Sequence, residues 1–218
     1  MLTDDEIFRH VDHTLLRATA AWAEIEKICT EAIRYRTASV CVPPSYVKPI
    51  HAAFGDGLNI CTVIGFPLGY NTGAVKMREA EIALAEGARE IDMVINLGDV
   101  KNNAFEKASG EISALRKIAG KKILKVIVET CYLTREEKIR LCEIVTRCGA
   151  DYIKTSTGFG SAGAVLDDVL LFKQHIGSGV KIKASGGIKT REDLEKFLSA
   201  GCDRIGTSSA VALLTGSV

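Results

Sequence analysis

The chain has 218 residues, of which 47% are hydrophobic and 25% charged, a balance that suits one α/β domain with a large core. Its 28 basic and 27 acidic side chains give a formal net charge of +1, so the sequence predicts no binding of nucleic acid or of an anionic membrane. No apolar segment approaches the ~20 residues that a membrane span needs. The acidic N-terminal segment lacks the apolar stretch of a signal peptide, so a cytoplasmic location is expected.

Apolar, strand-like segments recur along the chain with helical segments between them. The strand-like segments begin near Arg9, Ser39, Asn59, Glu90, Ile123, Tyr152, Lys181 and Arg204. Their mean spacing is about 28 residues, which is close to the length of one βα unit. Eight such units within residues 1–218 predict a single-domain (β/α)8 TIM barrel, and an open, doubly wound α/β sheet is the alternative fold.

Helix boundary signals agree with this periodicity. Helical spacing of apolar residues extends over 74–87, 104–119, 134–148 and 191–200. The second pair of these segments begins with a capping-box pattern, Thr-x-x-Glu at 134–137 and the variant Thr-x-x-Asp at 190–193. Glycines stand where helix C-caps are expected, at Gly87, Gly149 and Gly201.

Several strand-like segments place charged residues on the face that a barrel would bury. Strand side chains alternate between two faces; one set of positions is apolar, and the other holds Asp92, Lys125, Lys154 and Lys183. Buried charges are costly unless they are paired or used. Lys181 shares this parity but begins its strand, so we expect it to reach solvent at the bottom of the barrel.

The C-terminal ends of the strands are where a TIM barrel places its active site. The polar residues that the sequence puts at those ends are Asp12, Cys41, Asp92, Asn96, Lys154 and Lys183. Lys154 and Lys183 form a candidate reactive pair, because a lysine attacks only when neutral and both burial and a nearby cation favour the neutral form. The alternative is that each lysine neutralises a carboxylate such as Asp92, Asp12 or Glu129. The residues by themselves leave Schiff-base chemistry and charge neutralisation equally open.

Three late loops, at 155–160, 185–189 and 206–209, are rich in glycine, serine and threonine. Late loops of a TIM barrel, together with a helix N-terminus, commonly bind phosphate, so a phosphate site is favoured over simple tight turns. Residues 158–163 also match the GxGxxG pattern, but the next strand ends in Lys183-Ala-Ser-Gly and lacks the acidic residue of a dinucleotide site. We expect a glycine-rich anion-binding loop there.

The cysteines and histidines indicate no metal centre. The seven cysteines contain no CxxC pair, and the four histidines show no metal-ligand spacing. Scattered, unpaired thiols fit a reducing compartment. A nucleophilic Cys41 would need a partner histidine, and none is placed beside it in the sequence, so packing or pocket lining is its expected role.

Motifs along nearly the whole chain resemble those of the deoxyribose-phosphate aldolase family. The matching stretches are 11–16, 39–43, 63–69, 90–96, 125–130, 151–158, 181–188 and 206–209. The pair Ile-Lys-Thr-Ser-Thr-Gly and Lys-Ala-Ser-Gly-Gly, in this order, is highly specific. The resemblance implies a class I aldolase on a (β/α)8 barrel, which reversibly cleaves 2-deoxyribose 5-phosphate to glyceraldehyde 3-phosphate and acetaldehyde.

The resemblance also implies roles for individual residues. Lys154 would form the Schiff base, Lys183 would favour the neutral form of that amine and donate a proton, and Asp92 would shuttle protons with a water. Asp12 and Cys41 would line the substrate pocket. The phosphate would be surrounded by Gly158, Gly186, Gly187, Lys189, Ser208 and Ser209.

One departure from the family concerns the phosphate. Phe159 stands where relatives can carry a lysine, which leaves Lys189 as the nearby cation. No cofactor and no metal is expected, because a protonated imine is itself the electron sink that carbon–carbon cleavage needs. The expected partners are a small phosphorylated sugar and aldehydes, and the expected assembly is a homodimer.

Two other functions fit the same residues. One is a phosphate-sugar isomerase with Asp92 as base and a lysine as electrophile. The other is a non-catalytic protein that binds a phosphorylated metabolite and uses its lysines only to balance charge. Of the three, only the aldolase would retain a lysine adduct after borohydride reduction with acetaldehyde.

Overall fold

Eight parallel strands close into a barrel in which the strand order follows the chain. The strands are β1 (Val11–Thr14), β2 (Ser39–Val42), β3 (Ile60–Ile64), β4 (Glu90–Val94), β5 (Ile123–Ile127), β6 (Tyr152–Lys154), β7 (Lys181–Ser185) and β8 (Arg204–Thr207). β1 pairs with β8, with Val11 opposite Ile205, so the sheet has no free edge. The predicted TIM barrel is therefore confirmed, and the open sheet is excluded.

Ten α-helices are found in the computed structural model, which describes residues 2–216. They are α1 (Asp4–Phe8), α2 (Trp22–Tyr35), α3 (Val47–Phe54), α4 (Gly73–Ala85), α5 (Leu97–Lys101), α6 (Phe105–Ala119), α7 (Arg135–Arg147), α8 (Leu166–His175), α9 (Arg191–Ser199) and α10 (Ala210–Thr215). Met1, Ser217 and Val218, which the predicted domain includes, lie outside the described residues. Within 2–216 no helix is both long and apolar enough to cross a bilayer.

The helices cover the outward face of the barrel because each has one apolar stripe. In α2 the buried residues are Ile25, Cys29 and Ala32, a spacing of four and three that lines one side of a helix. The apolar side chains of the strands pack against such stripes. Ile91 and Met93 of β4, for example, are fully buried. The core therefore forms a layer between sheet and helices, and the barrel interior is left to the other parity.

The helix caps predicted from the sequence are confirmed. Thr134 and Thr190 each accept a hydrogen bond from the backbone of the third helical residue, Glu137 and Asp193, and both caps are reciprocal. The three predicted C-cap glycines all have positive φ, at 117°, 68° and 107° for positions 87, 149 and 201. These caps fix where each helix ends and each following strand begins, so the strand ends meet at one rim of the barrel.

Candidate active site

Charged side chains fill the barrel interior between the strands. Each lies on the inward parity of its strand, and each is buried. This ionic network consists of Asp12, Glu90, Asp92, Lys125, Lys154, Lys183 and Arg204. Such a cluster is costly without mutual pairing, and every member has an oppositely charged neighbour in it.

Asp92 is the common partner of Lys125, Lys154 and Lys183, and we call these four residues the upper part of the network. Its Oδ2 accepts hydrogen bonds from Lys154 Nζ at 2.8 Å and from Lys183 Nζ at 2.7 Å. Its Oδ1 accepts from Lys125 Nζ at 2.9 Å. β4, β5, β6 and β7 are successive neighbours in the barrel, and the in-register pairs place Asp92 beside Lys125 and Lys154 beside Lys183. The strand register therefore makes one carboxylate the common partner of three lysines.

The other three residues, which we call the lower part of the network, are Asp12, Glu90 and Arg204. They hold the upper part in position. Arg204 donates to Asp12 Oδ1 at 2.5 Å and contacts Glu90 Oε2 at 3.2 Å. Lys183 also bonds Asp12, through Oδ2 at 2.5 Å. Lys183 has room beside β8 because Gly206 has no side chain: a Cβ there would lie 3.1 Å from Lys183 Cε.

The ion pairs outweigh burial in setting the charges of these groups. Desolvation is the largest single influence on Lys183, yet Asp12 and Asp92 raise the pKa of Lys183 above its ordinary value. Desolvation also opposes ionisation of Asp92, whose pKa is nevertheless held well below the ordinary value by Lys125 and the other two lysines. In the resting protein near neutral pH, Lys183 is therefore a cation and Asp92 an anion.

A cleft of about 350 Å³ opens above the network, where β1, β6, β7 and β8 end. Lys154 is the member of the network that lines this cleft; the other six lie beneath it. The central cleft is also lined by all six residues predicted around the phosphate, Gly158, Gly186, Gly187, Lys189, Ser208 and Ser209. The structure thus places the lysine amine and the three late loops around one opening.

Close backbone packing explains the glycines of the loops that follow β6 and β7. A Cβ on Gly163 would lie 2.2 Å from the carbonyl oxygen of Gly186, and one on Gly160 would lie 2.9 Å from Cys131 Sγ. The backbone N–H of Ala164 donates to the Gly186 carbonyl at 3.0 Å. The last two glycines of the GxGxxG pattern thus lie where the loop after β6 packs closely against the segments after β5 and β7.

Glu129 fixes the loop that follows Lys154. It has a left-handed backbone with φ of 54°, which is strained for a residue with a side chain. Its carboxylate accepts hydrogen bonds from the Thr157 backbone N–H at 3.1 and 3.2 Å and from the Thr157 hydroxyl. Glu129 is thus a loop anchor, and it is not one of the lysine counter-ions considered from the sequence.

Two residues predicted to line the substrate pocket lie below the central cleft. Asp12 is fully buried, and its carboxylate bonds Ser39, Lys183 and Arg204. Cys41 is also fully buried and packs with Cys61, under Leu16 and Phe66. Neither is among the residues that form the walls of the cleft; inward parity puts a side chain inside the barrel, but strand stagger sets its depth there.

The remaining sequence predictions are placed as follows. Lys181 is exposed at the start of β7, as expected. Asn96 caps α5 by accepting from the Gly98 backbone N–H at 3.0 Å, and it lies outside the central cleft.

Sulfur and carboxylate atoms of Cys41, Cys61 and Asp92 come within 4.8 Å of one another, but the Lys125 ammonium donates to both Cys61 and Asp92. A metal ion there would meet that cation, so this donor set does not suit a metal.

Sequence reasoning missed Glu90, Arg204 and Arg17. The first two share the inward parity of Asp92 and Gly206 on their strands, and that signal was available from the period of two. Arg17 also lines the central cleft, but it lies on an irregular loop, where no periodicity tells which way a side chain points.

Comparisons with known proteins identify similar chains. Residues 7–215 match the sequence profile of the DeoC/LacD family of aldolases. The deoxyribose-phosphate aldolase of Clostridium botulinum (strain Eklund 17B / Type B) is 60% identical over 215 residues, covering 99% of this chain and 97% of that protein. The enzyme of the same name from Clostridioides difficile (strain 630) is 52% identical over 208 residues, covering 95% of both chains. A tetrameric deoxyribose phosphate aldolase from Aeropyrum pernix superposes with a TM-score of 0.92 at 32% identity, covering 98% of this chain and 92% of that one.

Proposed function

The chain belongs to the DeoC/LacD family of aldolases, and we propose that it carries out the deoxyribose-phosphate aldolase reaction through a Schiff base on Lys154. The reaction is the reversible cleavage of 2-deoxyribose 5-phosphate to glyceraldehyde 3-phosphate and acetaldehyde. The observation that carries the proposal is the position of Lys154. It is the one amine of the ionic network that reaches the central cleft, and it lies against the Asp92 carboxylate.

The chemistry follows from an amine in that position. The neutral Lys154 amine adds to the C1 aldehyde of the open-chain sugar and loses water to give a protonated imine. When the C2–C3 bond breaks, its electron pair moves to the imine nitrogen, and the C3 hydroxyl gives up its proton. Glyceraldehyde 3-phosphate leaves, a proton returns to C2 of the enamine, and water releases acetaldehyde from the lysine.

The ionic network around Lys154 carries an unbalanced formal charge. With formal charges, the network has four cations and three carboxylates, which leaves one positive charge in excess. Lys183 and Asp92 keep their charges because their pKa values are shifted toward the ionised forms. Of the four cations, Lys154 is the one that lines the cleft, where the reaction needs a neutral amine.

Proton transfer is assigned to Asp92 and Lys183. Asp92 Oδ2 touches both Nζ atoms within 2.8 Å, so a proton can pass between the reacting centre and the network along short hydrogen bonds. Lys183 is buried and held by two carboxylates, which suits a fixed positive charge and a proton donor better than a nucleophile. Asp12 then acts by holding Lys183 in place.

The phosphate is assigned to the three late loops. Gly158, Gly186 and Gly187 expose backbone at the wall of the cleft, and all three have positive φ. Ser208 and Ser209 add hydroxyl groups where β8 ends. Backbone N–H groups and hydroxyls are the usual ligands of a phosphate dianion at this face of a TIM barrel.

Reductive trapping tests this function directly. The enzyme is incubated with acetaldehyde and sodium borohydride, and intact-mass and peptide mass spectrometry locate the adduct. We expect a gain of one ethyl group on Lys154, its absence in Lys154→Leu, and a full-strength adduct in the matched variant Lys181→Leu, whose lysine is exposed on the neighbouring strand. A full-strength adduct on Lys183 or Lys125 in Lys154→Leu would contradict the assignment.

We also propose a homodimer in the cytoplasm. Apolar side chains are exposed on the segment after β3, with Leu68 at 56%, Tyr70 at 68% and Val75 at 51% exposure, which supports a subunit contact. All seven cysteines are free thiols, which supports a reducing compartment. Light scattering should give twice the chain mass of 23.5 kDa; a monomer or tetramer would contradict the assembly.

A further inference from the structure

Arg17 lies between two cavities on the loop that joins β1 to α2. It lines the central cleft beside Ser208 and Lys189. It also lines a second cavity of about 300 Å³, formed by β1, α2 and α10. Within that side cavity its guanidinium forms an ion pair with Glu24. One side chain therefore borders both spaces.

The phosphate end of the central cleft has few cations in this chain. Phe159 contributes a ring to its wall, and that ring packs edge-on against Phe66 at 5.3 Å. Among the described residues that line the cleft, the cationic side chains are Lys154, Lys189 and Arg17. Lys154 is bonded to Asp92, which leaves Lys189 and Arg17 for an anion.

The ion pair that Arg17 makes is one that a phosphate can replace. The side chain of Arg17 is 54% exposed and that of Glu24 is 42% exposed, and exposed ion pairs contribute little to stability. Glu24 keeps a second bond without Arg17, because it accepts from the Ala21 backbone N–H at 3.0 Å. A guanidinium binds a phosphate dianion through two parallel hydrogen bonds, which is a stronger contact than an exposed carboxylate offers.

We propose that Arg17 is a specificity-determining residue that leaves Glu24 and binds the phosphate of the substrate. The inference rests on the proposed function, and it assigns to Arg17 the positive charge that Phe159 does not supply. Glu24 competes with the substrate for the guanidinium. It follows that removing the Glu24 charge strengthens phosphate binding, whereas removing the Arg17 charge weakens it.

A double-mutant cycle tests this competition. KM for deoxyribose 5-phosphate and Ki for inorganic phosphate are measured in wild type, Arg17→Gln, Glu24→Gln and the double variant. We expect Arg17→Gln to raise both constants about tenfold, the loss of one charge-assisted contact, with kcat changed less than about twofold and activity on unphosphorylated deoxyribose unchanged. Glu24→Gln should lower both constants, and the double variant should behave as Arg17→Gln alone. Lys27→Gln removes a cation that lines the side cavity but not the central cleft, and it should change neither constant.

The possible outcomes separate phosphate binding by Arg17 from the proposed aldolase reaction. If wild type forms the borohydride-trapped adduct but Arg17→Gln leaves KM and Ki unchanged, Arg17 does not bind phosphate and the inference is wrong. A rise in KM of the same size for deoxyribose would make Arg17 a residue of the loop structure, which also overturns it. If wild type forms no adduct, the proposed reaction itself fails, and the inference fails with it.

Discussion

The Nζ of Lys183 lies 2.7 Å from Oδ2 of Asp92, and this contact joins the buried charges to the cleft. The same oxygen accepts from Lys154 at 2.8 Å, so Lys183 and the cleft-lining Lys154 share one carboxylate oxygen. Lys183 is buried and its pKa is raised by Asp12 and Asp92 against desolvation. The Lys154 amine therefore lies beside a buried positive charge.

Replacing Lys183 by leucine should move the pH dependence of activity upward. Leucine removes the buried cation that shares Asp92 Oδ2 with Lys154, and a neighbouring like charge is one of the factors that make an amine available as a nucleophile. We expect kcat/KM to fall strongly at pH 7 and to recover in part at pH 9 to 10. Profiles of wild type and variant on deoxyribose 5-phosphate measure this shift, and two profiles with the same midpoint would refute the electrostatic role.

Replacing Asp92 by asparagine should lower kcat more than it raises KM. The amide keeps the shape but loses the negative charge that both lysines contact, so the loss falls on proton transfer and not on binding of the phosphate. A decrease in kcat of about 100-fold is expected. The control Glu90→Gln removes a carboxylate from the lower part of the network, and it should not lower kcat more than it raises KM. An effect of Asp92→Asn on KM alone would make it a binding residue.

The buried carboxylates should make stability depend on pH in the acid range. The folded-state pKa of Asp92 and of Asp12 is below the ordinary value, chiefly through their lysine neighbours acting against desolvation. Their contribution is thus fully present above about pH 4 and is lost as the pH falls toward the folded-state pKa, by about 1.4 kcal/mol per pH unit and group. Urea unfolding at pH 6, 4 and 3 should show a shallower loss in Asp92→Asn than in wild type. The exposed Asp167→Asn should follow wild type, and parallel curves for all three proteins would contradict the expectation.

A carboxylate at position 208 should act against the phosphate. Ser208 lines the central cleft where β8 ends, so Ser208→Asp places a negative charge beside the dianion. We expect KM for deoxyribose 5-phosphate to rise by about tenfold or more, while cleavage of unphosphorylated deoxyribose changes far less. Ser208→Asn is the neutral control of similar size. Equal losses on both substrates would move the phosphate site elsewhere.

An alanine at position 163 should destabilise the packing of the loop after β6 against the loop after β7. Its Cβ would lie 2.2 Å from the Gly186 carbonyl oxygen, and relief of such overpacking costs about 1–3 kcal/mol. Gly179→Ala is the control, because a Cβ there meets no atom within 4 Å. Thermal unfolding should separate the two variants, with Gly163→Ala lower in Tm. Equal Tm values would mean that the two loops relax without strain.

Much of this architecture is determined by local sequence. The period of two on the strands requires one apolar face and one polar face, and the caps at Thr134 and Thr190 set helix starts without reference to the rest of the chain. The inward positions of Asp92, Lys154 and Lys183 follow from the same alternation. For this reason the barrel and the inward placement of Lys154 and Lys183 were predictable from residues alone.

The tertiary structure alone decided how these charges are shared. Strand parity gives the face of Glu90 and Arg204 but not their partners, since Arg204 meets Asp12 from 192 positions away. It also decided that Asp12 and Cys41 lie below the cleft, because depth inside a barrel depends on strand stagger and not on parity. Glu129 and Arg17 belong to irregular loops, where side-chain direction has no period. The sequence by itself thus determined which residues face the interior, and closure of the barrel determined which atoms meet.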